Sequence, residues 1–187
     1  MIFREVEDRD LIAKARHGNV EAFNLLVSRW DKRIFNYLYR LVKDREDAMD
    51  LSQDVFLKAH QNLARLEDAA RFGPWLFRIA HNEAYSLLRK NRPETDLEAH
   101  IEGESWGASS SGRRMLPIEV SLAVERALER LSEDQREAVV LKIYQGFKFE
   151  EMADILGCPV STVKSRLYTA LENLKTTLAP IPTRGVE

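Results

Sequence analysis

Between Asn91 and Pro117 the chain loses every sign of an apolar face. The stretch NRPETDLEAHIEGESWGASSSGRRMLP carries Gly103, Gly107, Gly112 and a serine run, with Pro93 and Pro117 near its ends. A segment this long without apolar periodicity reads as a flexible linker, assigned to residues 93–118. It divides the chain into two units, 1–92 and 119–179, each of which has to bury a core of its own. A disordered tail, 180–187, follows the last apolar position. Trp106 is an exposed aromatic within the linker, or an anchor for a partner.

Both flanks of the linker carry helical spacing and neither reads as strand. Asp10–Arg16 forms a short helix ended by Gly18, and Asn19 is placed to cap a long one. That second helix carries Phe23, Leu26, Val27, Trp30, Ile34, Leu38 and Leu41 on one side. Asp44 caps a third, running to about Leu66, and Pro74 sits in the first turn of a fourth that ends near Lys90. Beyond the linker, Glu119–Leu131 forms a helix. Ser132 and Gln135 form a capping box that opens the next, which stops near Gly146. Phe149–Leu156 and Ser161–Leu178 complete the set. The fold class is all-α, two small helical domains.

The 187 residues carry 28 Lys and Arg against 30 Asp and Glu, a net charge of −2, so the chain is no polybasic coat for nucleic acid. With 44% apolar residues it is no acidic disordered tail either. Its longest apolar run, Ala138–Leu141, falls far short of the ~20 residues that span a bilayer. The acidic start shows no signal-peptide pattern. A single cysteine, Cys158, excludes an internal disulfide and a multi-thiolate metal site, and the four histidines show no metal-ligand spacing. No metal and no cofactor are expected, and the protein is placed in the cytoplasm.

Three helix faces carry more than a core requires. On the helix from Asp44, the polar side opposite the core holds Asp50, Gln53, Asp54 and Gln61, with Leu57 among them. An apolar residue ringed by acids and amides resembles a small protein-binding patch whose carboxylates suit a partner's arginines. On the helix from Pro74, Leu76, Phe77, Ile79, Ala80, Ala84, Leu87 and Leu88 form the buried stripe. Opposite lie Trp75, Arg78, Asn82, Tyr85, Ser86 and Arg89, with no acid among them. Arginine for phosphate, asparagine for base edges and rings for stacking suit a nucleic-acid surface.

The third face lies in FEEMADILGCPVSTVKSRLY. Ala153, Gly157, Cys158 and Val163 fall at the spacings of a helix-turn-helix, with Cys158 as an apolar filler. In the second helix Val163, Leu167, Ala170, Leu171 and Leu174 face inward. Thr162, Ser165, Tyr168 and Thr169 project outward, flanked by Lys164 and Arg166, as a helix in the major groove requires.

Together these segments resemble the bacterial RNA polymerase sigma factors of the extracytoplasmic-function group. DREDAMDLSQDVFLKAH is similar to the family's core-polymerase-binding helix, and RFGPWLFRIAHNEAYSLLRK to its minus-10 recognition segment. LSEDQREAVVLKIYQGFKFEEMADILGCPVSTVKSRLYTALENLK is similar to its minus-35-binding domain. The resemblance implies that Asp50, Gln53, Asp54 and Leu57 dock on core polymerase. It implies that Arg71, Trp75, Arg78, Asn82, Tyr85 and Arg89 meet the minus-10 element, with a flipped base held by the loop before Pro74. It implies further that Thr162, Lys164, Ser165, Arg166, Tyr168 and Thr169 meet the minus-35 element, Thr169 standing where relatives often carry a basic residue. The partners implied are core RNA polymerase, promoter DNA and an anti-sigma factor, membrane-anchored in many relatives, that holds the protein inactive.

Two other classes compete on the residues alone. A stand-alone regulator with a C-terminal helix-turn-helix leaves the Leu57 patch and the Trp75–Arg89 face without a task. An enzyme has only His81-Asn82-Glu83 to offer, whose side chains diverge without a nucleophile or metal pair nearby.

Overall fold

The computed structural model describes residues 6–91 and 118–178. Residues 93–117 of the expected linker, Trp106 among them, and the tail lie outside the described residues, while Ile118 opens α5. Within them every regular element is helical: α1 (Asp8–Arg16), α2 (Val20–Val42), α3 (Arg45–Asn62), α4 (Phe72–Asn91), α5 (Ile118–Glu129), α6 (Glu133–Val139), α7 (Phe149–Leu156) and α8 (Val160–Leu178).

Capping chemistry sets the starts of α2 and α3. The Asn19 side chain accepts the Ala22 N–H at 2.8 Å, and Asp44 accepts that of Asp47 at 2.9 Å. Between them Lys43 takes a left-handed conformation, φ 61°, and its N–H satisfies the Tyr39 carbonyl. The side of α3 expected to be core is buried: Ala48, Leu51, Val55, Phe56, Ala59 and Leu63. The α-helix ends at Asn62, earlier than the periodicity suggests, and one tighter turn, Leu63–Arg65, carries Leu63 and Leu66 into the core. Arg16 donates to the carbonyls of Leu63 and Leu66, which satisfies these otherwise orphaned acceptors and ties α1 to the end of α3.

Helix α4 starts at Phe72, two residues before Pro74, whose missing N–H costs nothing in a first turn. Gly73 is required by packing: a Cβ there would lie 2.7 Å from the Trp30 ring. Ala80 and Ala84 let α4 sink between α2 and α3, and Lys58 pairs with Glu83 at 2.5 Å across the α3–α4 seam. Ile79, Leu87 and Leu88, expected in the buried stripe, are only half-buried.

The second unit is built around α8, which packs against α5, α6 and α7. The Ser132–Gln135 capping box is present, and Arg136 turns back to donate to the carbonyls of Leu128, Glu129 and Leu131. That buried guanidinium thus closes the end of α5. Helix α6 unwinds into a wide turn over Val140–Tyr144, and Gly146, φ 78°, reverses the chain toward Phe147. The turn between α7 and α8 passes through Gly157 at φ 63°, as the helix-turn-helix spacing requires.

The two units pack on each other, an arrangement the linker left open. Helix α7 lies along α4, while α6 and the wide turn reach α2. Phe147 of the second unit is 6% exposed, its ring set edge-on to that of Phe77 at 5.0 Å. Arg33 donates to the side chain and carbonyl of Gln145, and Arg40 lies 4.4 Å from the Tyr144 ring.

Candidate functional site

The α3 face stands clear of all this packing. Asp50, Gln53 and Asp54 are exposed and form no ion pair with any described residue. Leu57 is 56% exposed, and Met49, one turn before Gln53, is 46% exposed. Met49, Gln53 and Leu57 recur every four residues with Asp50 and Asp54 alongside, making an apolar ridge edged by carboxylates. Met49 escapes notice in the sequence because it borders Ala48 at the margin of the core.

The α4 face is more engaged. Arg78, Asn82 and Arg89 are exposed, as the wheel requires. Trp75 and Tyr85, expected outside the core, are both half-buried. Trp75 leans on Phe72, ring centroids 5.9 Å apart, so part of its surface belongs to its own unit's core. Tyr85 turns toward the second unit and donates to Asp134 at 3.3 Å. Burial, followed by the nearby charges of Glu137 and Asp134, raises the Tyr85 phenol far above the ordinary tyrosine range. Arg71, at the entrance to α4, is paired with Asp154 of α7.

On α8 the hydroxyl-rich side is open: Ser165 and Thr169 are exposed and Tyr168 is 60% exposed, with Thr162 half-buried at the helix start. The Lys164 ammonium lies 5.3 Å from the Phe149 ring, and the Arg166 guanidinium pairs with Asp134 at 2.6 Å. Val163, Leu167 and Ala170 are buried as expected, but Leu171 is exposed, because no described helix covers that edge of α8. Cys158 is half-buried against the core in the turn before α8, and burial raises its thiol above the usual range. It is a packing residue.

At the centre of the interface sits a residue the sequence reading passed over. Glu137 is 0% exposed; one carboxylate oxygen accepts from the Tyr37 hydroxyl and lies 2.8 Å from His81 Nδ1. Its other oxygen has no hydrogen-bond partner among the described residues. Burying such an oxygen unpaired costs on the order of 1–3 kcal/mol. Burial, and then the nearby Glu137 charge, also raises the Tyr37 phenol well above its ordinary value. The signal for Glu137 was an acid set directly against the apolar run Ala138–Leu141. Asp134 and Asp154 gave no comparable signal, since acids near helix starts and on outer faces are ordinary.

Three chemically distinct helix faces therefore share one small all-α chain: an acid-edged apolar ridge that is open, a cationic and aromatic helix that is partly engaged, and a helix-turn-helix. No cluster of metal-ligating side chains occurs among the described residues, and no described helix is long and apolar enough to cross a membrane. Residues 26–94 match the sigma-70 region 2 family, and residues 121–174 match sigma-70 region 4. The chain belongs to the sigma-70 family of transcription initiation factors.

Its likeness to individual relatives runs nearly end to end. It is 33% identical over 184 residues to the RNA polymerase sigma-H factor of Pseudomonas aeruginosa, covering 94% of this chain and 95% of that one. It is 34% identical over 187 residues to the ECF RNA polymerase sigma-E factor of Escherichia coli K12, covering 95% and 97%. Among solved structures, CnrH in complex with the cytosolic domain of CnrY aligns with a TM-score of 0.68 at 29% identity, over 94% of this chain and 99% of that one. RpoE of Bartonella quintana in complex with the anti-sigma factor NepR gives a TM-score of 0.68 at 28% identity, over 87% and 100%. The chain is an extracytoplasmic-function sigma factor, a subunit that binds core RNA polymerase and directs it to promoter DNA.

Proposed function

We propose that residues 1–92 dock the protein on core polymerase and open the minus-10 element, while residues 119–179 hold the minus-35 element. The observation that carries this reading is the separation of the three faces onto α3, α4 and α8, each with the chemistry of a different contact. Asp50, Gln53, Asp54, Leu57 and Met49 offer carboxylates and an apolar ridge to a basic, apolar helical surface on polymerase. Arg71, Arg78 and Arg89 neutralise phosphates, Asn82 meets a base edge, and Trp75 and Tyr85 stack on bases that have left the duplex. Thr162, Lys164, Ser165, Arg166, Tyr168 and Thr169 line a helix suited to the major groove.

The protein contributes binding energy and no chemical step of its own; polymerase carries the catalysis. It works in the cytoplasm, beside the DNA. CnrH was captured with the cytosolic domain of CnrY and the Bartonella RpoE with the anti-sigma factor NepR, and an anti-sigma factor is proposed for this chain as well.

The double variant Trp75→Ala/Asn82→Ala tests the division of labour. Holoenzyme containing it is expected to form normally and to lose strand opening by about a hundredfold, since each base contact of this kind is worth roughly 1–3 kcal/mol. Permanganate reactivity of unpaired thymines reads the opening. Unchanged reactivity would remove the minus-10 role from α4.

A further inference from the structure

The outward stripe of α8 carries no side chain built to grip guanine. At about 3.6 residues per turn, Thr162, Ser165, Tyr168, Thr169, Glu172 and Thr176 fall within about 60° of one line along the helix. That line runs opposite the buried Val163, Leu167 and Ala170. Tyr168 is 60% exposed, and Ser165, Thr169 and Glu172 are exposed beside it. In the major groove guanine presents two acceptors, O6 and N7, which a doubly donating arginine or a lysine satisfies. The stripe offers single hydroxyls, a phenol and a carboxylate instead. The cations of α8 stand at its edges and are turned onto their own unit. The Arg166 guanidinium pairs with Asp134 at 2.6 Å and lies 3.9 Å from Cys158 Sγ. The Lys164 ammonium sits 5.3 Å from the Phe149 ring, which the Lys142 ammonium also approaches, at 4.7 Å. Those positions suit phosphates on the groove walls rather than base edges on its floor.

We infer that Thr169 is a specificity-determining residue: its methyl group seats against the C5 methyl of a thymine in the minus-35 element, at a base pair where guanine is disfavoured. The inference rests on the assignment of α8 to that element proposed above. Apolar contact with the thymine methyl is the one base-specific interaction that a threonine methyl makes in the major groove. The Thr169 hydroxyl is left to donate to an acceptor such as thymine O4. Tyr168 and Glu172 share the stripe and act in the same sense. The exposed ring adds apolar surface, and the carboxylate, an acceptor only, repels the O6 and N7 of guanine. Base choice and affinity are thereby divided on one helix, hydroxyl and methyl groups at its centre and cations at its rims.

A promoter on which the holoenzyme initiates is rebuilt with the base pairs around minus 35 randomised, and transcripts are counted against template input. Wild type is expected to favour thymine over guanine about fivefold at one pair of that element. Thr169→Ser keeps the hydroxyl, loses the methyl and is expected to flatten the preference at that pair alone. Thr169→Val keeps the methyl and is expected to retain the preference. Thr169→Arg supplies two donors and is expected to turn it into a guanine preference of about tenfold. The side chain is exposed, so all three variants should fold, and circular dichroism melting checks that they do. Base preferences left unchanged by both Thr169→Ser and Thr169→Arg would overturn the proposal, while the selection of other bases upheld the minus-35 reading. So would a wild type that requires guanine at the pair which Thr169→Arg alters. If wild type selects no base anywhere in the randomised stretch, the minus-35 reading itself falls and takes the proposal with it.

Discussion

Phe77→Ala is expected to lower the melting temperature by on the order of 10 °C and to loosen both helical units together. The side chain is fully buried, with ring centroids 5.0 Å from Tyr37, 6.5 Å from Trp30 and 5.0 Å from Phe147. Truncating a buried phenylalanine costs roughly 3–5 kcal/mol, partly from lost transfer energy and partly from the cavity that its rigid neighbours cannot fill. Three of those neighbours are aromatic, and Gly73 already brings the Trp30 ring against the α4 backbone, so collapse is restricted. Phe147 comes from the other unit, which is why the loss spreads across the interface. Phe35→Ala is the control: that ring is half-buried, stacks among the described residues only on Tyr39, and should cost much less. Equal, small shifts for the two variants in a thermal melt would contradict the packing described.

The second large effect is on polymerase. Asp50→Arg/Asp54→Arg is expected to weaken core binding at least a hundredfold and to leave the fold intact. Both carboxylates are exposed and pair with no described residue, so folding stability should move by about 0.5 kcal/mol or less. The helix keeps its cap, because Asp44 rather than either of these acids accepts the first-turn N–H. At an interface the same change replaces two attractions by two repulsions, and truncating one partner of a desolvated charge pair alone costs roughly 2–5 kcal/mol. Gel-filtration co-elution with core separates the outcomes: co-migration of wild type and free migration of the variant. Co-migration of both would move the docking surface away from α3.

Much of this architecture could be read before the structure. Asn19, Asp44 and the Ser132–Gln135 pair announce helix starts because capping is local chemistry, and all three act as the sequence suggests. The core side of α3 is legible for a similar reason, since one helix face against one core leaves a simple period. Legibility fails where a residue answers to a distant neighbour. Tyr85 reads as outward-facing on the α4 wheel, and it is, but its outward direction points at Asp134 from the other side of the linker. Leu171 reads as inward because the period of α8 continues, although the helices that would cover it do not. Glu137 looks like one more acid in a charged helix until Tyr37 and His81 close around it. No local rule encodes the packing of two units across a linker, and that packing determines which candidate faces are free.

Whether this chain gives polymerase its choice of promoter is tested most directly by transcription from fragmented genomic DNA of the source bacterium. Core polymerase is assayed with and without the purified chain, and transcript 5′ ends are sequenced. The account predicts a small set of discrete starts that appear only with the chain, each preceded by the same two sequence elements at fixed spacing. The start set should vanish with Asp50→Arg/Asp54→Arg. Starts that are the same with and without the chain, or that scatter without shared upstream elements, would contradict it.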